Sequence, residues 1–329
     1  MKKISVLGCG RWGSFIAWYL CGLGFPVTMW GPENGQSFRI LQETGKNEYV
    51  ALDKRIHLTS DLEKALSEAE IVIIAISAQG LRAFMQEVTR FPVADKTFVL
   101  CMKGIESDTG KRLSEIMTES GISPDRIAVW VGPGHIQAFV QGIPNCMLID
   151  SQNEALKKEL ASAFKSNLIR FYYGNDLIGT EIGAAAKNVM GIAAGILDGG
   201  GFTSLKGPLM ARGAREVAKL IHAMGGSPFS AYGLAHLGDY ETTLFSPYSH
   251  NRGYGELLVQ GKKFGKLAEG VPTAKAMRML GRLYNVELPI TEAVYSACYE
   301  ADPFSDGEAR SNLLRIILKL FERETKSEF

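Results

Sequence analysis

Two kinds of chemistry are legible in short runs of this chain. Gly8-Cys9-Gly10-Arg11-Trp12-Gly13 follows the pattern G-x-G-x-x-G. Between a strand and a helix such a turn takes a pyrophosphate. The first glycine permits the tight turn, the second admits phosphates close to the backbone, and the third lets the helix pack on the sheet. The helix start adds N–H groups and the positive end of a dipole. A turn that serves structure alone has the same spelling, so the flanking elements decide between the two readings.

The second kind is proton transfer. Met102-Lys103-Gly104-Ile105-Glu106 stands just past an apolar run, at the carboxyl end of a strand, where ligands bind in α/β sheets. Lys187 and Asn188 interrupt a run of small and apolar residues from Gly183 to Gly195. Burial there would lower the lysine's pKa, and such a lysine exchanges a proton with a substrate hydroxyl near neutral pH. A lysine that snorkels to water is the competing reading. Asp239, within Leu237-Gly238-Asp239-Tyr240-Glu241-Thr242-Thr243, would set that lysine's charge state from nearby. Ser249-His250-Asn251-Arg252 precedes a helix expected from about Tyr254. A polar helix start of this kind is either a phosphate site or an ordinary cap.

These residues need a scaffold, and the apolar runs supply one. Lys3 to Leu7, Pro26 to Trp30, Ile71 to Ile76, Thr97 to Met102 and Ile127 to Val131 read as buried strands. Cys146 to Asp150 and Ile169 to Tyr173 read as late strands. Helical spacing falls between them at Arg11 to Leu23, Asp61 to Ala69 (with Ser60 or Asp61 as its cap), Leu81 to Thr89 and Leu113 to Glu119. This alternation predicts an α/β fold, a Rossmann doubly wound sheet, over residues 1–178. Beyond Gly174 the β-branched runs cease. Glu181 to Leu197, Met210 to Met224, Tyr254 to Gly261, Pro272 to Tyr284 and Ser311 to Phe321 fit helices. Residues 179–329 are therefore expected to form an all-α domain.

Bulk properties exclude several classes. The 329 residues carry a net charge of +1, which gives no electrostatic support for a nucleic-acid partner. No stretch approaches the roughly 18 apolar residues of a membrane span, and the apolar run after Met1-Lys2-Lys3-Ile4 is broken at once by Gly8 and Gly10. Five dispersed cysteines lack paired spacing, which argues against structural metal or disulfides and fits a reducing compartment, hence the cytoplasm. After the second strand stand Trp30-Gly31-Pro32-Glu33-Asn34. No acid sits at the strand end and no arginine beside it, so NAD and NADP stay equally open.

In order along the chain, GxGxxG, MKGIE, the VGPG run at Val131 to Gly134, AAAKNVMGIAAG, LGD and the Ser249-His250-Asn251-Arg252 run closely resemble soluble NAD(P)-dependent glycerol-3-phosphate dehydrogenase over almost the whole length. The resemblance implies interconversion of sn-glycerol 3-phosphate and dihydroxyacetone phosphate, a small phosphate substrate, as a supply for phospholipid synthesis. It implies Lys187 as the proton-transferring group, with Lys103, Asp239 and Thr243 completing the catalytic set. It places the cofactor against Gly8, Gly10, Arg11, Trp12, Gly13, Lys103, Ile136 and Glu269. It places the substrate against Lys103, Gly132, Gly134, Asn188, Asp239, Ser249, His250 and Asn251. Two positions depart from the usual bacterial pattern. Gly134 stands for a serine and His250 for an arginine, from which weaker phosphate binding or an altered substrate is expected, with Arg252 as a substitute only if it turns inward. A homodimer through the helical half is a further expectation. The alternatives are another Rossmann dehydrogenase acting on a hydroxy acid or imine, and a nucleotide-binding sensor without catalysis.

Overall fold

The computed structural model describes residues 1–301 and 308–322. The chain forms two compact units. One comprises Met1–Lys103 and Lys111–Glu181, the other Gly104–Gly110 and Ile182–Phe329.

The first unit contains β1 (Ile4–Leu7), α1 (Arg11–Gly22), β2 (Val27–Trp30), α2 (Gln36–Thr44), β3 (His57–Thr59), α3 (Leu62–Ser67), β4 (Ile71–Ile74), α4 (Leu81–Val88) and β5 (Thr97–Leu100). It continues with α5 (Leu113–Glu119), β6 (Ile127–Val131), α6 (Ile136–Val140), β7 (Asn145–Asp150), α7 (Glu154–Phe164) and β8 (Ile169–Tyr173). The sheet order is β3-β2-β1-β4-β5-β6-β7-β8. The first six strands are parallel, β7 runs antiparallel to β6, and β8 is parallel to β7. The first six strands have the dinucleotide-binding order of a doubly wound sheet.

The central strands are apolar at every position except Ser5 and Thr97, because helices cover both faces. Alternate residues separate into two cores. Val6, Ile73, Val99 and Trp130 belong to one. Leu7, Val72, Ile74 and Leu100 belong to the other. Asp61 caps α3 by accepting the Lys64 amide, as its position before the helix suggested.

Four elements of this unit, β3, α2, α7 and the five-residue α6, escaped the hydrophobic pattern. β3 is three residues long and half-exposed. α2 buries only Phe38 and Leu41. α7 is capped by Asn153, which accepts the amides of Ala155 and Leu156.

The second unit is helical, and no strand follows Tyr173 among the described residues. Its elements are α8 (Leu177–Gly199), α9 (Lys206–Ala223), α10 (His250–Val259), α11 (Gly270–Leu283), α12 (Pro289–Tyr295) and α13 (Glu308–Leu318). The boundary between units falls inside α8, after Glu181. α9 starts four residues before the expected Met210 and includes Pro208. In the first turn a proline forfeits no helical hydrogen bond. α10 likewise starts at His250 rather than Tyr254. No helix among the described residues is long and apolar enough to cross a membrane.

Candidate active site

In the first unit the glycine turn links β1 to α1. Gly8 has φ +129°, and a Cβ there would stand 2.4 Å from the Ala75 carbonyl oxygen. A Cβ on Gly13 would stand 1.9 Å from the Gly8 oxygen. Both glycines are therefore demanded by the protein itself. Gly10 is different. It precedes α1 with φ −74° and ψ −172°, a conformation open to any residue, and a Cβ there would meet nothing within 4 Å. Neither strain nor packing explains it, whereas close approach of a ligand does. No side chain caps α1, and no acid occupies its first turn. The turn thus fits the diphosphate of a nicotinamide dinucleotide.

Two further segments converge here. The Lys103 ammonium donates to the Gly132 carbonyl at 2.7 Å and lies 5.8 Å from the centre of the Trp12 ring. Lys103, Trp12 and Gly132 thereby come together from three separate stretches. Gly134 has φ +155°, and a Cβ on it would lie 2.4 Å from the Phe139 ring. Phe139 is stacked on Phe15 of α1 at 5.0 Å. This ring is the physical reason a serine has no room at position 134. Ile136 is fully buried at the start of α6. At the end of β2 the Trp30 indole donates to the Ser60 carbonyl at 2.9 Å. Arg39 of α2 donates through Nε to the Glu33 carbonyl at 3.2 Å. No arginine flanks that strand end in sequence, but the turn after β2 brings one there.

In the second unit the Lys187 side chain is 10% exposed and its ammonium lies 3.0 Å from an Asp239 carboxylate oxygen. It also donates to Thr243 Oγ1 at 2.8 Å. Lys187 therefore points into a polar nest and does not snorkel. Asp239 is 1% exposed and also accepts from the Thr242 hydroxyl. Asp239 comes from a single 3-10 turn, Leu237–Asp239, and Thr243 from the π-helical turn Glu241–Phe245 that follows.

Asn188, the next residue of α8, accepts from Asn251 Nδ2 at 2.9 Å. Asn251 in turn accepts the Gly270 amide at 2.9 Å, so it joins α8, α10 and the start of α11, where Glu269 is the preceding residue. Ser249 is the N-cap of α10 and accepts the Arg252 amide. His250 is half-buried and donates through Nδ1 to the Leu267 carbonyl at 3.2 Å.

Arg252 does not turn inward to replace an arginine at 250. Its guanidinium bonds Asp198 at 2.8 Å, Glu256 at 3.1 Å and the Ser246 carbonyl at 3.0 Å. Asp198 also takes the Lys206 ammonium at 2.6 Å. This network was invisible in sequence, since the bonded pair Asp198 and Arg252 is separated by 54 residues.

A model of the N-terminus of NAD-dependent glycerol-3-phosphate dehydrogenase matches residues 3–157, and one of the C-terminus of the same enzyme matches residues 176–307. Glycerol-3-phosphate dehydrogenase [NAD(P)+] of Thermoanaerobacter sp. is 35% identical, covering 99% of this chain and 98% of its own. That of Staphylococcus haemolyticus is 34% identical over the full length of both. The solved structure of glycerol-3-phosphate dehydrogenase from Coxiella burnetii superposes with TM-score 0.88 at 25% identity, over 98% of this chain and 99% of that one. With two matched halves, full-length relatives and a glycine turn shaped for a dinucleotide, the chain belongs to the NAD-dependent glycerol-3-phosphate dehydrogenase family.

Proposed function

We propose that this chain interconverts sn-glycerol 3-phosphate and dihydroxyacetone phosphate with NAD or NADP, and so supplies glycerol phosphate for phospholipid synthesis. The observation that carries the reading is the buried Lys187 ammonium between Asp239 and Thr243, one residue from Asn188. Residues 1–178 are the nucleotide-binding domain in this reading and residues 179–329 the substrate domain.

The Gly8–Gly13 turn would hold the dinucleotide, with Arg11, Trp12, Lys103, Ile136 and Glu269 as its further contacts in this reading. When bound, its nicotinamide supplies or accepts the hydride. Lys187 gives a proton to the developing alkoxide on carbon 2 in reduction and removes it from the hydroxyl in oxidation. Asp239 and Thr243 hold the ammonium in place through two bonds. Lys103 and Asn188 polarise and orient the reacting oxygen. Gly132 and Gly134 shape the substrate loop, and Ser249, His250 and Asn251 receive the phosphate.

The test is oxidation of NADH and of NADPH, in parallel, on adding dihydroxyacetone phosphate, against a panel of hydroxy-acid and imine partners without phosphate. Turnover of the phosphate substrate with at least one cofactor is expected. No turnover with either, or faster turnover of a partner lacking phosphate, overturns the assignment. In Lys187→Ala, kcat should fall by roughly 10²–10⁴-fold while titration of the cofactor's fluorescence stays unchanged.

The reading includes a cytoplasmic location and a homodimer. All five cysteines are free thiols, which suits a reducing compartment. Light scattering in solution tests the dimer, and a mass of one chain would remove it.

A further inference from the structure

One buried titratable group takes no part in the proton transfer above. His236 is fully buried, as is Tyr240. The imidazole Nδ1 lies 2.9 Å from the Gly183 carbonyl oxygen, and Nε2 lies 2.7 Å from the Tyr240 hydroxyl. A carbonyl only accepts, so Nδ1 carries the proton and Nε2 offers a lone pair. The Tyr240 hydroxyl is therefore the donor to Nε2. Burial pushes the imidazole pKa down to about 4, consistent with a neutral ring fully bonded at both nitrogens.

Each attachment leads to a residue of the candidate site. Gly183 and Lys187 are four apart in α8, so the carbonyl that accepts from His236 also belongs to the helical rung of the Lys187 amide. On the other side, the His236 carbonyl accepts the Asp239 amide at 3.0 Å, and Tyr240 is the residue next to Asp239. The fit is close, since a Cβ on Gly183 would stand 3.1 Å from the His236 Cβ. A ring flip would exchange both nitrogens for carbons and break both bonds. One imidazole thus fastens the turn that carries Asp239 to the turn of α8 that carries Lys187.

We propose that His236 is a positioning residue for the Lys187–Asp239 pair, acting through its Nδ1–H bond to Gly183. This rests on the reading of Lys187 as the proton-transferring group. A lysine stem has four flexible carbons, and catalysis is sensitive to about an ångström of misplacement. The strut holds the carboxylate where the ammonium must be.

The two nitrogens can be tested separately. Asparagine places its amide nitrogen near the Nδ1 position and retains the bond to Gly183. Glutamine reaches the Nε2 position and retains only the bond to Tyr240. In His236→Gln, kcat for dihydroxyacetone phosphate should fall about 10- to 100-fold, with KM and cofactor binding within about threefold of the parent. His236→Asn should restore most of that loss. Equal losses in both variants that follow their melting temperatures, or an undiminished kcat in His236→Gln, overturn the proposal. A parent enzyme inactive on dihydroxyacetone phosphate defeats the reaction assignment instead, and is scored before any variant. Should His236→Gln not fold, the imidazole nitrogen spectrum of the parent decides. A neutral Nδ1-protonated ring supports the strut, and an Nε2-protonated ring removes its bond to Gly183.

Discussion

Three glycines in one turn answer three different demands. Gly8 is held by a positive φ and a carbonyl neighbour, and Gly13 by contact with Gly8 itself. Gly10 faces open space, so a side chain there costs the fold little and costs the ligand its approach. Gly10→Val should leave the melting temperature within a degree or two of the parent and weaken dinucleotide binding by about tenfold or more. Equilibrium titration alongside a thermal melt checks both halves. Unchanged affinity would mean that the turn serves structure alone. Lys187 shows the opposite logic. Its type and apolar surroundings could be read from sequence, but a snorkelling lysine has the same spelling. Only contact with Asp239, 52 positions later, distinguishes them. His236 has no partner pattern in the sequence around it. Its burial and two bonds become apparent only when Gly183 and Tyr240 are placed around it.

Among elements, the small-residue run of α8 has a direct physical cause. A Cβ on Gly195 would stand 2.0 Å from the Arg252 carbonyl oxygen, and one on Gly255 would stand 2.2 Å from that of Ile192. α8 and α10 therefore approach backbone to backbone, which brings Asn188 and Asn251 into contact. Gly195→Ala should destabilise the chain by about 2 kcal/mol or more through overpacking, read from denaturant unfolding. Its kcat should fall as well, because the two asparagines separate. A variant as stable as the parent would contradict this packing. Two elements missing from the sequence reading have a weak apolar signal. β3 and α2 bury few residues. Gly253 and the polar residues before it disguise the start of α10, where the Ser249 cap was nevertheless legible.

At the scale of the whole molecule, the second unit is braced by Asp198, which accepts from Thr203, Lys206 and Arg252. Burial raises the Asp198 carboxyl, but the hydrogen bonds from Lys206, Arg252 and Thr203 outweigh it and hold its pKa below the ordinary value. A carboxyl depressed in the folded state contributes stability above its unfolded pKa, and that stability is lost as pH falls through the folded one. Asp198→Asn should therefore cost roughly 3 kcal/mol near neutral pH by leaving Lys206 without this anion and Arg252 with Glu256 alone. The gap to the parent should narrow below about pH 4, measured as unfolding free energy across pH. A gap that stays constant down to about pH 2 would show that the network acts by shape rather than charge.

Sequence by itself determined the α/β fold, because buried parallel strands must be apolar throughout and the glycine turn must stand between the first strand and helix. It also determined the family, since six short motifs recur in one order along the chain. Tertiary structure decided what local pattern cannot encode. The antiparallel turn of β7 leaves the same apolar spelling as a parallel strand. The Phe139 ring explains the glycine at position 134, and Asp198 commits Arg252 away from any role as a replacement arginine. The proposed proton site is the clearest case. Lys187, Asp239 and Thr243 are each ordinary where they stand in the chain, and come together only in the fold, with the Lys187 ammonium 2.8 Å from Thr243 and 3.0 Å from Asp239. Distances of that kind between distant residues are set by packing, and packing is a property of the folded chain.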